Sequence, residues 1–361
     1  MMNRRQMLKM GALASLAAPN AWGVVGKSNK KKLGVALVGL GYYSRDLLAP
    51  ALQLAEHCEL RGIVTGTASK IPVWQKKYGI KDGNVYNYEN MHTVANNPEI
   101  DIIYIVLPTF LHKKYSIIAA NAGKHVWCEK PMAMTVEECD SIIKSCSENK
   151  VYLSVGYRMQ HEPNTQTVIK YADSKPYGNI KKLTAKAGYR GSGGAQDYWR
   201  MQRGQGGGAL YDMGVYPINA VRFATGMEPT SVLEAKHIID RPDLFKHADE
   251  TTEFTLEFPK GIIAKCETSV GRNYNILNVD AKNGWYKLEP MQSYTGVQGI
   301  TSDGVKLNKT IVNQQTSQMD NDALAIFNKS PVLVPGTEGL NDIRVVQAVL
   351  ASAARGKPVK I

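Results

Sequence analysis

The sequence predicts an α/β domain on a doubly wound parallel sheet, followed by an α+β domain with an open, mostly antiparallel sheet. Three observations predict it. Between residues 33 and 156, short β-branched runs alternate with helical stretches, the pattern of parallel βαβ units. A glycine turn, Gly39-Leu40-Gly41, follows the first of those runs directly. From residue 180 to 288 the runs lengthen and alternate with period two, as strands with one covered face do.

The first two dozen residues stand apart from this frame. Arg4-Arg5-Gln6-Met7-Leu8-Lys9 precedes a short apolar run over 10–18 and then small residues, the layout of a twin-arginine export signal, although Asn3 and Met7 depart from the usual residues. Residues 1–26 are assigned to this signal and its basic linker, with further lysines up to residue 32. A periplasmic destination follows. The apolar run is about half of what a bilayer crossing requires, so no permanent membrane span is expected.

In the first domain, residues 33–156, strands are expected at 33–38, 60–64, 102–107, 125–128 and 151–155. The run Ile102-Ile103-Tyr104-Ile105-Val106-Leu107 is apolar on both faces, as a central strand covered on both sides should be. Gly39-Leu40-Gly41-Tyr42-Tyr43-Ser44 opens a helix after the first strand, where backbone N–H groups and a positive helix end can cradle a pyrophosphate. That is the dinucleotide-binding position of a Rossmann domain. At the end of the second strand, where a carboxylate would bind the ribose of NAD, the chain instead has Thr65-Gly66-Thr67-Ala68-Ser69-Lys70. A hydroxyl at Thr65 or Thr67 and a cation at Lys70 suit a 2′-phosphate, so NADP(H) is favoured over NAD(H).

Cys128-Glu129-Lys130-Pro131 closes the fifth strand at the carboxyl edge of the sheet, where α/β sites lie. Lys130 there can donate to a developing alkoxide. In the second domain, residues 157–361, the alternation of residues 253–258 continues past Pro259-Lys260-Gly261, and Asn283-Gly284 signals another hairpin. Within the cluster of residues 206–216, Asp212 and Tyr216 are four apart and would share a helix face, so a carboxylate and a phenol can converge on one ligand. A C-terminal helix is expected from Leu340, Ile343, Val346 and Leu350.

Other classes fit less well. The net charge of +12 comes from dispersed Lys and Arg without the aromatic interleaving of nucleic-acid binders. The seven histidines show no metal-binding spacing, and the five cysteines form neither a CxxC pair nor a disulfide framework.

Taken together, GLGYYS, LPTFLH (residues 107–112), GKHVWCEKPMA (123–133), GYR (156–158), WR (199–200) and GGGALYDMGVYPIN (206–219) resemble the glucose–fructose oxidoreductase, inositol dehydrogenase and rhizopine-catabolism (Gfo/Idh/MocA) family, most of all its glucose–fructose oxidoreductase branch. The resemblance runs from about residue 33 to the C-terminus. It implies an active site in the cleft between the domains, with Lys130 contacting the reacting oxygen and Asp212 and Tyr216 beside it. It also implies cofactor contacts from Gly39, Leu40, Gly41, Tyr42, Tyr43, Leu107, Pro108, His112, Glu129 and Lys130, and matches Thr65 and Lys70 to a 2′-phosphate site. A phenol needs a cation close by to act as a proton donor or acceptor near neutrality. Tyr216 is therefore expected as acid/base, with Lys130 as its electrostatic partner. Arg158 and Arg200 suit sugar hydroxyls.

The expected reaction is hydride transfer between a tightly held nicotinamide and a sugar alcohol or ketone. A dimer or tetramer through the second domain is implied as well. Two other readings compete: an exported glycosidase that uses bound NAD(H) transiently, and a sugar-binding relative without catalysis.

Overall fold

In the computed structural model, residues 31–191 and 193–361 are described. The export signal assigned to residues 1–26 lies outside them. The first sheet consists of β1 (Leu33–Val38), β2 (Cys58–Val64), β3 (Val85–Tyr86), β4 (Ile102–Ile105), β5 (His125–Cys128) and β6 (Leu153–Val155), all parallel, in the order β3-β2-β1-β4-β5-β6. The order reverses between β1 and β4, so loops on either side of that seam diverge and leave a crevice at the carboxyl edge. Val35 and Leu37 feed one apolar cluster and Ala36 and Val38 the other, which is why these strands read as unbroken apolar runs. The edge strand β3 is too short to leave a sequence signal.

The crossover helices are α1 (Ala49–Leu54), which continues a π-helical turn Tyr43–Leu48, then α2 (Ile71–Tyr78), α3 (His112–Asn121) and α4 (Val136–Glu148). Thr135 caps α4 by accepting from the Glu138 amide. Helix α5 (Pro163–Ser174) then leads into the second sheet, with the Glu162 carboxylate accepting from the amides of Asn164 and Thr165.

The second sheet has nine strands: β7 (Ile180–Gly188), β8 (Ser231–Ile238), β9 (Thr251–Phe258), β10 (Ile262–Ser269), β11 (Tyr274–Ala281), β12 (Gly284–Leu288), β13 (Gly299–Thr301), β14 (Lys306–Leu307) and β15 (Val359–Lys360). Their order is β14-β13-β12-β11-β7-β10-β9-β8-β15. All neighbours are antiparallel except β7 and β10. In the hairpin expected at Asn283-Gly284, Ala281 pairs with Gly284, so Lys282 and Asn283 form the turn, one residue earlier than expected. Helices α6 (Val215–Thr225) and α8 (Gly336–Arg355) lie against this sheet and each other, and α5 packs on α6 with Tyr171 against Tyr286 of β12. On the other face opposite charges meet across strands, Lys186 with Glu267 and Lys236 with Glu253.

The C-terminal half also completes the first layer. On α7 (Gln314–Asn328), Met319 and Ala323 join the apolar cluster of β1 and β2, and the Asp320 carboxylate accepts from the amides of Glu56 and His57. Asp322, on the same helix, is fully buried and accepts from the Ser154 hydroxyl at 2.7 Å, while its second oxygen has no partner. Burial pushes its carboxyl up to about 7.

An aspartate titrates near ~3.9 in an unfolded chain. The folded state therefore holds this proton more tightly, and its contribution to stability is greatest below pH ~4 and falls as pH rises toward 7. Asp322→Asn is expected to flatten that slope and to stabilise the protein at pH 8 by about 1 kcal/mol or more, as measured by urea unfolding across pH.

Candidate active site

A cavity of about 980 Å³ opens at the carboxyl edge of the first sheet, between its loops and the loops of the second domain. Its floor begins at the β1 turn. Gly39 has φ +89°, and a Cβ there would fall 2.4 Å from the Val106 carbonyl oxygen, so only glycine fits. The buried Ser44 hydroxyl donates to the Gly39 carbonyl at 2.6 Å and fixes the turn. At Gly41 a Cβ would meet nothing within 4 Å; the space it leaves belongs to the cavity. The amides of residues 42–44 precede the first hydrogen bond of the helical turn, which the Arg45 amide donates to the Gly41 carbonyl at 2.9 Å, so they have no intrahelical acceptor. An open glycine, unsatisfied first-turn amides and a roomy cavity together fit a dinucleotide's phosphates.

Glu129, Lys130 and Pro131 form the next part of the lining, and the Lys130–Pro131 peptide bond is cis. The Lys130 ammonium donates to the Asp212 backbone carbonyl at 2.8 Å and lies 4.3 Å from the centroid of the Tyr216 ring. The sequence places this cation beside the phenol oxygen, whereas the structure seats it over the ring face. Among the described residues, the Tyr216 hydroxyl has no hydrogen-bond partner.

Asp212 lies in a π-helical turn, Leu210–Gly214, that runs into α6, so the expected regular helix is widened here. The turn is anchored by Asp249, a residue that sequence reasoning missed. Asp249 is fully buried, its carboxylate accepts from the Leu210 amide at 2.8 Å, and its carbonyl accepts from the Ala209 amide. The Asp212 carboxylate accepts from the Tyr189 hydroxyl at 3.1 Å and stands 3.5 Å from the Arg200 guanidinium. Lys130, Asp212, Tyr216 and Arg200 thus all line one cavity.

Other expected residues stand further back. Arg158 is buried and is not part of the cavity lining. Its guanidinium donates to Gln314, Gln292 and the Ser293 carbonyl and stacks 4.4 Å from the Tyr294 ring centroid. It supports the cavity wall from behind. His112 is likewise buried, its two ring nitrogens 2.7 Å from the Leu107 carbonyl and 2.9 Å from the Pro131 carbonyl, so it ties the β4 loop to the Glu129–Pro131 segment. Leu107 and Pro108 line the cavity, as do Tyr42 and Tyr43. Leu40 is buried, and its carbonyl accepts from the Lys70 ammonium at 3.0 Å. Thr65 is buried and its hydroxyl accepts from the Thr67 amide, so neither Thr65 nor Lys70 reaches the cavity itself.

Beneath Lys130 runs a buried polar chain. Tyr104 donates to the Glu129 carboxylate at 2.6 Å, and Gln318 of α7 donates to the Tyr104 hydroxyl at 3.0 Å. Burial pushes the Glu129 carboxyl up to about 7, against the lowering effects of the Tyr104 hydrogen bond and the Lys130 charge.

Two family models match the chain: "Oxidoreductase family, NAD-binding Rossmann fold" over residues 33–157 and "GFO/IDH/MocA C-terminal domain" over residues 165–286. The structure of an aldose–aldose oxidoreductase from Caulobacter crescentus, complexed with glycerol, superposes with a TM-score of 0.87 at 34% identity, covering 91% of this chain and 100% of that one. A D-xylose 1-dehydrogenase [NADP(+)] from Haloarcula marismortui is 24% identical over 342 residues, 90% of this chain and 92% of the relative. The fold is also that of scyllo-inositol dehydrogenase from Lactobacillus casei with bound NAD(H), at a TM-score of 0.76 and 18% identity, covering 91% and 99% of the two chains. These likenesses support the oxidoreductase reading over a glycosidase or a silent binding protein.

The carboxyl carbon of Glu129 is expected to titrate near pH 7 in 13C NMR. Tyr104→Phe removes a hydrogen bond to the charged form, so the midpoint should move up. An ordinary carboxylate midpoint near ~4.3 would contradict that burial.

Proposed function

This chain belongs to the Gfo/Idh/MocA oxidoreductase family, and on that premise we propose that it oxidises a sugar or sugar-like alcohol and reduces the corresponding carbonyl, using a retained NADP(H). The observation that carries the proposal is the convergence of Lys130, Asp212 and Tyr216 on one cavity that residues 41–43 of the glycine turn also line. The dinucleotide, when bound, supplies a donor or acceptor of hydride. Residues 39–43, Leu107, Pro108 and Glu129 would hold it.

Tyr216 gives or takes the alcohol proton at its hydroxyl oxygen, which points to no protein acceptor and so is available to a substrate. The Lys130 ammonium, fixed by the Asp212 carbonyl, stabilises negative charge on that phenol and on the reacting oxygen. Arg200 and the Asp212 carboxylate hold neighbouring hydroxyls. Arg158 acts through the wall it supports.

Preference for NADP(H) is supported by the lack of a carboxylate in residues 65–70 and by Lys70, whose ammonium is held next to the glycine turn. The relatives named for NADP(+) are consistent with it. Retention is supported by the proposed export: a protein carried out folded by the Arg4-Arg5 signal would leave with its cofactor and have one sugar reduce it and another reoxidise it. A homodimer or homotetramer through the open face of the second sheet completes the proposal.

Mass spectrometry of protein purified without added nucleotide is expected to show stoichiometric NADP(H); protein free of nucleotide would overturn the retention. Lys70→Ala should weaken NADPH binding about tenfold by fluorescence titration while NADH changes little, as loss of one charge-assisted contact of ~1.4 kcal/mol implies. Lys130→Met and Tyr216→Phe should each lower kcat about 10²–10³-fold with the retained dinucleotide unchanged. Turnover at the native rate in both variants would end this reading.

A further inference from the structure

The cavity lies at the upper end of the roughly 300–1,000 Å³ usual for small-molecule sites, and aromatic side chains that are also open to solvent, Tyr189 and Tyr198 among them, line it. Tyr198 is 42% exposed, although large apolar rings in water ordinarily mark a binding surface when they cluster. Trp199 beside it is half-buried, with ring centroids 6.1 Å apart and planes at 60°. The Arg200 guanidinium lies 4.3 Å from the Trp199 ring centroid and 5.8 Å from that of Tyr198, and also donates to the Tyr198 hydroxyl.

Two features make this pair a fixed platform and not a loose surface loop. The 3-10 turn Trp199–Met201 is pinned from below, because Met201 is buried and the Gly208 amide donates to the Arg200 carbonyl at 2.9 Å. A Cβ at Gly207 would come within 2.4 Å of both the Trp199 and the Arg200 carbonyl oxygens, so the turn lies directly on the glycine run. That same run leads into the π-helical turn bearing Asp212, and Arg200 reaches Asp212 itself. The rings are therefore held in register with the reacting end of the cavity, one residue of guanidinium away from it.

A pyranose presents C–H bonds on its faces and hydroxyls around its edge. Flat aromatic faces take up the first, and the adjoining guanidinium takes up the second. We infer that Tyr198 and Trp199, with Arg200 between them and Asp212, form a second carbohydrate subsite at the cavity mouth, which binds a pyranose ring linked to the one that reacts, so that the substrate is a glycoside or oligosaccharide. The inference rests on the oxidoreductase reading for the reacting ring alone; the platform itself does not depend on it. Because the rings are already fixed, little ordering accompanies binding, and the gain appears in affinity.

The test uses glucose, cellobiose and maltose as probes with the full-length holoenzyme and its Tyr198→Ala and Trp199→Ala variants. Expected is a fall of about tenfold in kcat/KM for a disaccharide, carried by KM and equivalent to ~1.4 kcal/mol, with glucose changed less than threefold. In parallel, disaccharide should alter the intrinsic fluorescence of the native enzyme, and Trp199→Phe should abolish that change. Equal effects on glucose and disaccharide, no effect of either variant, or disaccharides that neither turn over nor bind would overturn the subsite while leaving glucose oxidation in place. Should no sugar be oxidised by the native enzyme, the oxidoreductase reading fails and the fluorescence titration still decides the subsite; a rim covered by a second copy of the chain would show as disaccharide-insensitive fluorescence.

Discussion

The site depends on where one ammonium group sits. Lys130 comes from the edge of the first sheet, yet its nitrogen rests on a carbonyl and a ring contributed by the second domain. A charge partly withdrawn from water needs compensation, and here the Asp212 carbonyl and the π face of Tyr216 supply it. The domains therefore cannot take up an arbitrary relation at this point without leaving the cation uncompensated. The widened helical turn at residues 210–214 carries the carbonyl that accepts the hydrogen bond of Lys130.

Around that contact, polar side chains that look like ligand groups in the sequence do structural work. Arg158 and His112 lie behind the surface that a substrate would touch, and both bind backbone carbonyls of cavity-lining segments. Their effect is positional: Arg158 fixes Gln292, Ser293 and Tyr294, while His112 joins the Leu107 loop to Pro131. Glu129 is held neutral or charged by a balance between burial and the Tyr104 hydroxyl, and Tyr104 in turn accepts from Gln318, more than two hundred residues away. Helix α7 thus reaches, through the Tyr104 hydroxyl, a carboxyl on the first-domain side of the cavity.

Much of this could be read from the residues. Strand positions in the first domain are legible because fully buried parallel strands write unbroken apolar runs, as residues 102–105 do. The glycine turn is legible because only glycine tolerates φ +89° against the Val106 carbonyl. The β9–β10 hairpin is legible from period-two alternation alone. By contrast β3, with two residues, has no period to detect, and α7 gives no hint that its apolar face belongs to the other sheet. Asp249 escaped notice because a lone aspartate before a strand looks like any loop residue; only the turn folded onto it makes it an anchor.

By itself, the sequence determined the local grammar: where the longer strands of the first sheet lie, where the backbone must turn on glycine, and which acid, phenol and cation stand at element ends. Those features depend on neighbours a few residues away and on side-chain volume and backbone freedom. The tertiary structure alone decided which of the charged groups face the cavity and which brace it. Arg200 and Arg158 are indistinguishable in sequence, but one pairs with Asp212 at the cavity surface and the other is buried against the Tyr294 loop. That distinction arises from the cost of burying a charge without partners, and partners are assembled only when distant segments pack.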